Sequence, residues 1–169
     1  YYKKISEMGK YLEGEGMPLA YHHHMGTVIE SQKDTEMLLE NTDDSVKLTL
    51  DTGHMFFAQG KSIKLLKDFS ERVIHIHCKD IRKNVLEKSL IEDLSFRTAF
   101  LEGAFTVPGD GCIDYKPLFD ELKKNDYSGW LVVEAEQDPK KANPYEYAKI
   151  GYKYLTETLS KANIKVSQF

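Results

Sequence analysis

All six histidines of the chain fall within three short stretches, YHHHMGT (21–27), LDTGH (50–54) and HIHCKD (75–80). A fourth stretch, VVEAEQDP (132–139), adds carboxylates. Imidazole nitrogens and carboxylate oxygens are the donors that bind divalent manganese, iron, cobalt or zinc. Each stretch sits where an apolar, strand-like run ends. One such stretch would mean little, but four at successive strand ends predict a single active site.

Strand side chains alternate between faces, so His22 and His24 share one face and His23 takes the other. The same parity pairs His75 with His77 and Glu134 with Glu136. The competing reading is a set of solvated loop residues, and for His23 alone that reading is the better one. Asp51 and His54 are three residues apart, which lets a carboxylate at a strand end and an imidazole in the next turn face one site. Asp51 could equally cap a following helix. Arg82 offers a rigid fork of donors for substrate oxygens, and Asp80 could orient an imidazole from behind. A surface Asp80–Arg82 pair is the plain alternative. Cys78 has the opposite parity to His77 and is expected to be a buried packing residue.

Periodicity indicates the elements that position these groups. Residues 2–13 place Ile5, Met8 and Leu12 at helical spacing, with Gly14 and Gly16 beyond. A strand starts at Leu19 and ends in its histidines, residues 33–40 read as a helix, and 46–50 form a second strand ending in Asp51. A helix over 63–69 and a third strand over 73–77 follow. Residues 89–102 are expected to be helical through Leu90, Leu94 and Leu101, and 105–107 to be a very short strand. Pro108-Gly109-Asp110-Gly111 is a turn by composition, and Asp114 is expected to cap a helix over 115–124 that tolerates Pro117 in its first turn. The last strand spans 130–134 and the last helix 145–159.

Alternating strands and helices imply a parallel sheet joined by right-handed crossovers. A (β/α)8 TIM barrel builds its chemistry at such strand ends, and a complete one takes about 250 residues. The 169 residues here carry four clear strands and a short fifth. The expectation is an α/β fold in which residues 1–169 form a single domain, the C-terminal half of a TIM barrel with four or five βα units. The remaining strands would come from upstream sequence. A chain that opens on Tyr1, with no initiating Met and a helical segment at once, is expected to be a piece of a longer polypeptide.

A net charge of −4 and a pI near 5.9 argue against a nucleic-acid partner, whose electrostatic footprint would be basic. No apolar run reaches the ~18 residues of a membrane span, and no signal peptide is visible. Two cysteines, Cys78 and Cys112, make no disulfide framework, so a cytoplasmic location is expected. Assembly into a homo-oligomer is compatible with all of this.

The strings YHHHMGT, LDTGHMFFAQG, HIHCKDIR, AFTVPGDGCIDYKPLFDEL and YSGWLVVEAEQDPKKANPYEYAKIGYKYL resemble the inosose dehydratases, the 2-keto-myo-inositol dehydratases of inositol catabolism. The VPGDG and VVEAEQDPxxANPxxYA strings are long and specific. DTGH, HxHxxD and the terminal strand Glu resemble the wider xylose-isomerase-like barrel superfamily. The resemblance covers essentially the whole chain, as the C-terminal portion of such an enzyme.

That superfamily holds its metal with a Glu, an Asp, a His and a second Glu at four strand ends. The resemblance places the Asp at Asp51, the His at His77 and the second Glu at Glu134. The first Glu falls at His22, a departure, so His22, His24 or water would complete the set. The resemblance implies a manganese or cobalt cofactor and a small cyclitol ketone as substrate. Loss of water beside a ketone needs a base for the α-proton, here Glu134 or Glu136, and an acid for the departing hydroxyl, here His54 or His24. Arg82 and Lys79 would hold ring hydroxyls. The rival readings are a sugar isomerase or epimerase on the same scaffold, a DNA-repair endonuclease disfavoured by the acidity, and an inactive truncated half-barrel.

Overall fold

The structure, a computed structural model, describes residues 1–167 and resolves into two compact units. One comprises Tyr1–Ile76 and Tyr127–Leu131, and the other His77–Asp126 and the chain from Val132 onward.

In the first unit, α1 (Tyr2–Gly14) leads into β1 (Leu19–His22), and α2 (Gln32–Glu40) separates it from β2 (Val46–Asp51). The two strands are parallel, with Leu19 opposite Val46 and His22 opposite Thr49. Val46, Leu48 and Leu50 are fully buried, so their alternation is the apolar payload that makes β2 a strand. Gly9 lets α1 lie close to β2, because a Cβ there would stand 2.8 Å from Ser45 Oγ and 3.0 Å from Val46 Cγ2. A capping box starts α2: Ser31 Oγ accepts from Asp34 N–H and Asp34 Oδ2 accepts from Ser31 N–H. Beyond β2 come α3 (Thr52–Phe57), α4 (Ser62–Phe69), a 3-10 turn (Ser70–Arg72) and β3 (Val73–Cys78).

The second unit carries β4 (Asp80–Ile81), α5 (Lys83–Ile91), α6 (Phe96–Glu102), β5 (Phe105–Thr106) and α7 (Lys116–Lys124). After β6 (Trp130–Val133) comes α8 (Pro144–Lys161), capped by the Asn143 side chain on Tyr145 N–H and Glu146 N–H. β4 and β5 pair antiparallel, Asp80 opposite Thr106. Ile81, Phe105, Tyr115, Phe119, Leu155 and Leu159 are buried core of this unit.

The larger sheet has the order β1-β2-β3-β6. This order follows the chain without reversal, as in a singly wound β/α barrel, and unlike a doubly wound sheet with its switch point. Among the described residues no helix is long and apolar enough to cross a membrane.

Three expectations need correction. Residues 89–102 are not one helix: α5 ends at Ile91, Asp93 turns left-handed at φ 50°, and Ser95 caps α6 by accepting from Thr98 N–H. The short helix α3 directly follows β2, where a turn was expected. Finally, α7 is preceded by Tyr115 as its N-cap; Asp114, one residue further out, accepts from Lys116 N–H at 3.0 Å.

Arg72 fastens the α2–β2 connection. Its Nε donates to Val46 O at 2.8 Å, and its terminal nitrogens donate to Leu39 O, Thr42 Oγ1, Asp43 O and Asp44 Oδ1. The Asp44 side chain is 92% exposed, so the carbonyl bonds dominate the stabilisation. Arg72→Met keeps much of the stem packing but removes the fork. It should lower stability by about 2–4 kcal/mol in urea titration; a loss under about 0.5 kcal/mol would contradict this role.

Candidate functional site

In the first unit the site is organised around Asp51, the last residue of β2 and the N-cap of α3. Its buried carboxylate accepts from His54 N–H through Oδ1 at 2.8 Å. The cap reading of Asp51 is therefore correct, and it does not exhaust the residue, because Oδ2 lies 3.4 Å from His22 Nε2. The backbone N–H of Asp51 donates to His23 Nε2 at 3.1 Å.

Two further imidazoles meet through Met25. His24 Nδ1 lies 2.7 Å from Met25 O, and a carbonyl can only accept, so this nitrogen carries the proton. Met25 N–H donates to His54 Nδ1 at 3.4 Å, which leaves the proton of neutral His54 on Nε2. The His24 and His54 rings lie 3.7 Å apart, and the His22 ring is 5.5 Å and 5.7 Å from them. Donor atoms of His22, Asp51 and His54 all fall within 4.8 Å of one another.

His23 departs from expectation. Parity does send it to the opposite face from His22, but that face is packed protein and the residue is fully buried. Burial pushes its pKa down to about 3, against the opposing pull of the Asp51 charge and with the help of the neighbouring imidazoles. The ring is thus neutral, accepting at Nε2 and protonated at Nδ1. It sets the backbone of Asp51.

In the second unit, His77 Nδ1 lies 2.7 Å from Glu134 Oε2, and Glu134 N–H donates to Cys78 O. Cys78 is buried, as parity suggests. β6 stops at Val133, so the expected shared strand face of Glu134 and Glu136 does not exist as such, and Glu136 has a left-handed backbone at φ 47°. Both carboxylates nevertheless meet one cation. The fully buried Lys79 places Nζ 2.7 Å from Glu136 Oε2 and 3.3 Å from Glu134 Oε1.

Lys79 and Arg82 were candidates for holding substrate hydroxyls, and the structure gives them other partners. Lys79 serves the two glutamates. The terminal nitrogens of Arg82 donate to Gly103 O, Phe105 O, Thr106 Oγ1 and Asp110 Oδ2. Asp80 neither pairs with Arg82 nor orients an imidazole: it is buried, and its Oδ1 accepts from Ile81 N–H and Ile113 N–H. A Cβ at Gly111 would collide with this carboxylate, so glycine is required for the loop to close over it. Burial pushes the Asp80 carboxyl up while the loop amides pull it down. Thr106 and Gln137 were missed by sequence reasoning, since a Thr in a two-residue strand carries no signal of its own.

With the fold and these clusters in view, the chain belongs to the xylose isomerase-like TIM barrel family, whose model matches residues 1–158. Within that family it is 47% identical over 154 residues to an inosose dehydratase of Clostridium beijerinckii, covering 90% of this chain and 52% of the relative. It is 46% identical over 158 residues to an inosose dehydratase of Lactiplantibacillus plantarum, covering 93% and 53%. The chain thus spans about half the length of the curated relatives it matches. Among solved structures, the IOLI protein with a bound zinc atom superposes with a TM-score of 0.69 at 21% identity, covering 94% of this chain and 54% of that one. That likeness carries the fold alone.

The depressed pKa of His23 has a consequence for stability. The unfolded chain takes up a proton at this residue near pH 6.5, while the folded chain resists until about pH 3. The contribution is intact above pH 6.5 and declines as pH falls towards 3, by up to about 1.4 kcal/mol per pH unit. Stability measured from pH 7.5 to 4 should therefore fall more steeply for the wild type than for His23→Asn. Parallel curves would contradict a buried neutral imidazole.

Proposed function

We propose that this chain is the C-terminal portion of an inosose dehydratase, a hydro-lyase that removes water from 2-keto-myo-inositol to give a trihydroxycyclohexane dione. The observation that carries this reading is the sustained identity, 47% and 46% over nine-tenths of the chain, to inosose dehydratases. An isomerase or epimerase reading has only the shared scaffold behind it. On the proposed reading the chain supplies about half of a β/α barrel.

Asp51, His77, Glu134 and His22 are the proposed ligands of one divalent cation, Mn²⁺ or Co²⁺. Two features of the clusters support this. Asp51 commits Oδ1 to the α3 cap and turns Oδ2 towards His22. His77 and Glu134 already bring a nitrogen and a carboxylate oxygen within 2.7 Å. The mixed N/O donor set suits borderline divalent metals and does not choose between them. When bound, such a cation supplies Lewis-acid stabilisation for negative charge on the ketone oxygen.

The protein's own groups then move the protons. Glu136 takes the proton α to the ketone, and a histidine protonates the departing β-hydroxyl. His54 suits that second role better than His24. Its Nδ1 accepts from Met25 N–H, which leaves the protonated Nε2 as the donor, whereas His24 spends its Nδ1 proton on Met25 O.

The test is made on the intact protein, with dehydration of inosose followed by the ultraviolet absorbance of the enolised product. Asp51→Ala should lose metal and activity together, and should also lose about 1 kcal/mol of stability with the α3 cap. Asp51→Asn keeps a capping oxygen, so it should lose metal without that stability cost. Glu134→Gln should weaken metal binding, whereas Glu136→Gln should retain metal and lower turnover. Stoichiometric metal in Asp51→Ala would sink the ligand assignment, and exchanged behaviour of the two glutamines would swap their roles.

A further inference from the structure

Five non-glycine residues have a left-handed backbone among the described residues: Gln59, Asp93, Asp126, Asn163 and Glu136. The first four lie two residues past the ends of α3, α5, α7 and α8, the place where helices commonly end in this conformation. Glu136 follows no helix. A long side chain there gains nothing from the local fold, so other contacts must hold the conformation.

Those contacts flank Glu136. Lys79 Nζ binds its Oε2 at 2.7 Å, and Lys79 itself has no exposed side-chain surface. The carbonyl of Lys79 accepts from Tyr115 OH at 2.9 Å, and its ammonium lies 5.5 Å from the centre of the Phe105 ring. The next residue is tied down separately: Gln137 Nε2 donates to Thr106 Oγ1 at 3.1 Å. Thr106 in turn donates to Asp110 Oδ2 at 2.6 Å, an oxygen that Arg82 also holds. A buried ammonium is costly unless paired, so the ion pair constrains both partners.

We propose that Lys79 is a positioning residue: with the Thr106–Gln137 bond it holds Glu136 in its left-handed backbone, presetting the carboxylate for proton transfer. This rests on the reading of Glu136 as the base of the dehydratase. Lys79 acts through Glu136 and does not touch the substrate.

The experiment combines amide hydrogen exchange over residues 135–138 with steady-state kinetics of the metal-loaded intact protein. In Lys79→Met, exchange in that segment should quicken by about tenfold or more as its local opening becomes easier. Turnover should fall on the order of tenfold to a hundredfold while KM stays within about threefold. Lys79→Arg, which keeps a cation, should recover part of both. Thr106→Val is nearly isosteric and removes the acceptor for Gln137, so it should quicken the same exchange even if Lys79→Met fails to fold. Unchanged exchange in both variants overturns the proposal, as does a raised KM with intact turnover, which would put Lys79 on the substrate. If the wild type does not dehydrate inosose, it is the functional reading that has failed, and the exchange comparison still decides the role of Lys79.

Discussion

The carboxylate of Asp51 stands where β2 must stop and α3 must begin, and it is fully buried there. Its Oδ1 satisfies one of the amides that every helix start leaves open, and its backbone N–H is taken by His23. The first bond orients the side chain, with Oδ2 facing His22, and the second fixes its backbone. A buried carboxylate is tolerated only where donors or cations surround it. The backbone N–H of His54 in α3 and the imidazole of His22 in β1 meet that demand. The cap that ends the strand is therefore the same interaction that aims the candidate ligand.

Charge in the second unit is arranged on the same principle with the signs reversed. Lys79 is a buried cation whose ammonium is met by two carboxylates. Glu134 divides its oxygens between His77 and Lys79, so a proposed metal ligand and the counter-ion of a buried cation share one side chain. Arg82 and Asp80 hold the loop that follows β5, through Ile113, against β4 and β5. Preorganised donors and charges cost no rearrangement during a reaction. That economy suits the proton transfer proposed for Glu136.

Much of this was legible in the sequence, because burial writes a period into it. Val46, Leu48 and Leu50 announce β2, and the placement of the histidines after apolar runs marks the strand ends. Parity also separates His23 from His22. Parity cannot say whether the opposite face is water or protein, and His23 turned out to be buried. It fails again where a strand stops early: β6 ends at Val133, so the two-residue spacing of Glu134 and Glu136 does not describe one face. The protein partners of Arg82 were illegible for a different reason. A guanidinium looks the same in sequence whether its partners are substrate oxygens or main-chain carbonyls, and the carbonyls of Gly103 and Phe105 leave no trace in residue types. The break between α5 and α6 did have a signal, Ser95 ahead of Phe96, which the leucine spacing outweighed.

The central claim is that one oxygen of Asp51 caps a helix while the other binds a metal. A structure of the manganese-loaded intact protein, with anomalous scattering recorded to place the ion, tests it directly. The account predicts a peak ~2.0–2.2 Å from Asp51 Oδ2, typical of a metal–carboxylate bond. Oδ1 should still be on His54 N–H, with His77, Glu134 and His22 as the other protein ligands. A peak bonded to Oδ1 with the α3 cap broken, or one lying away from Asp51 altogether, would contradict it.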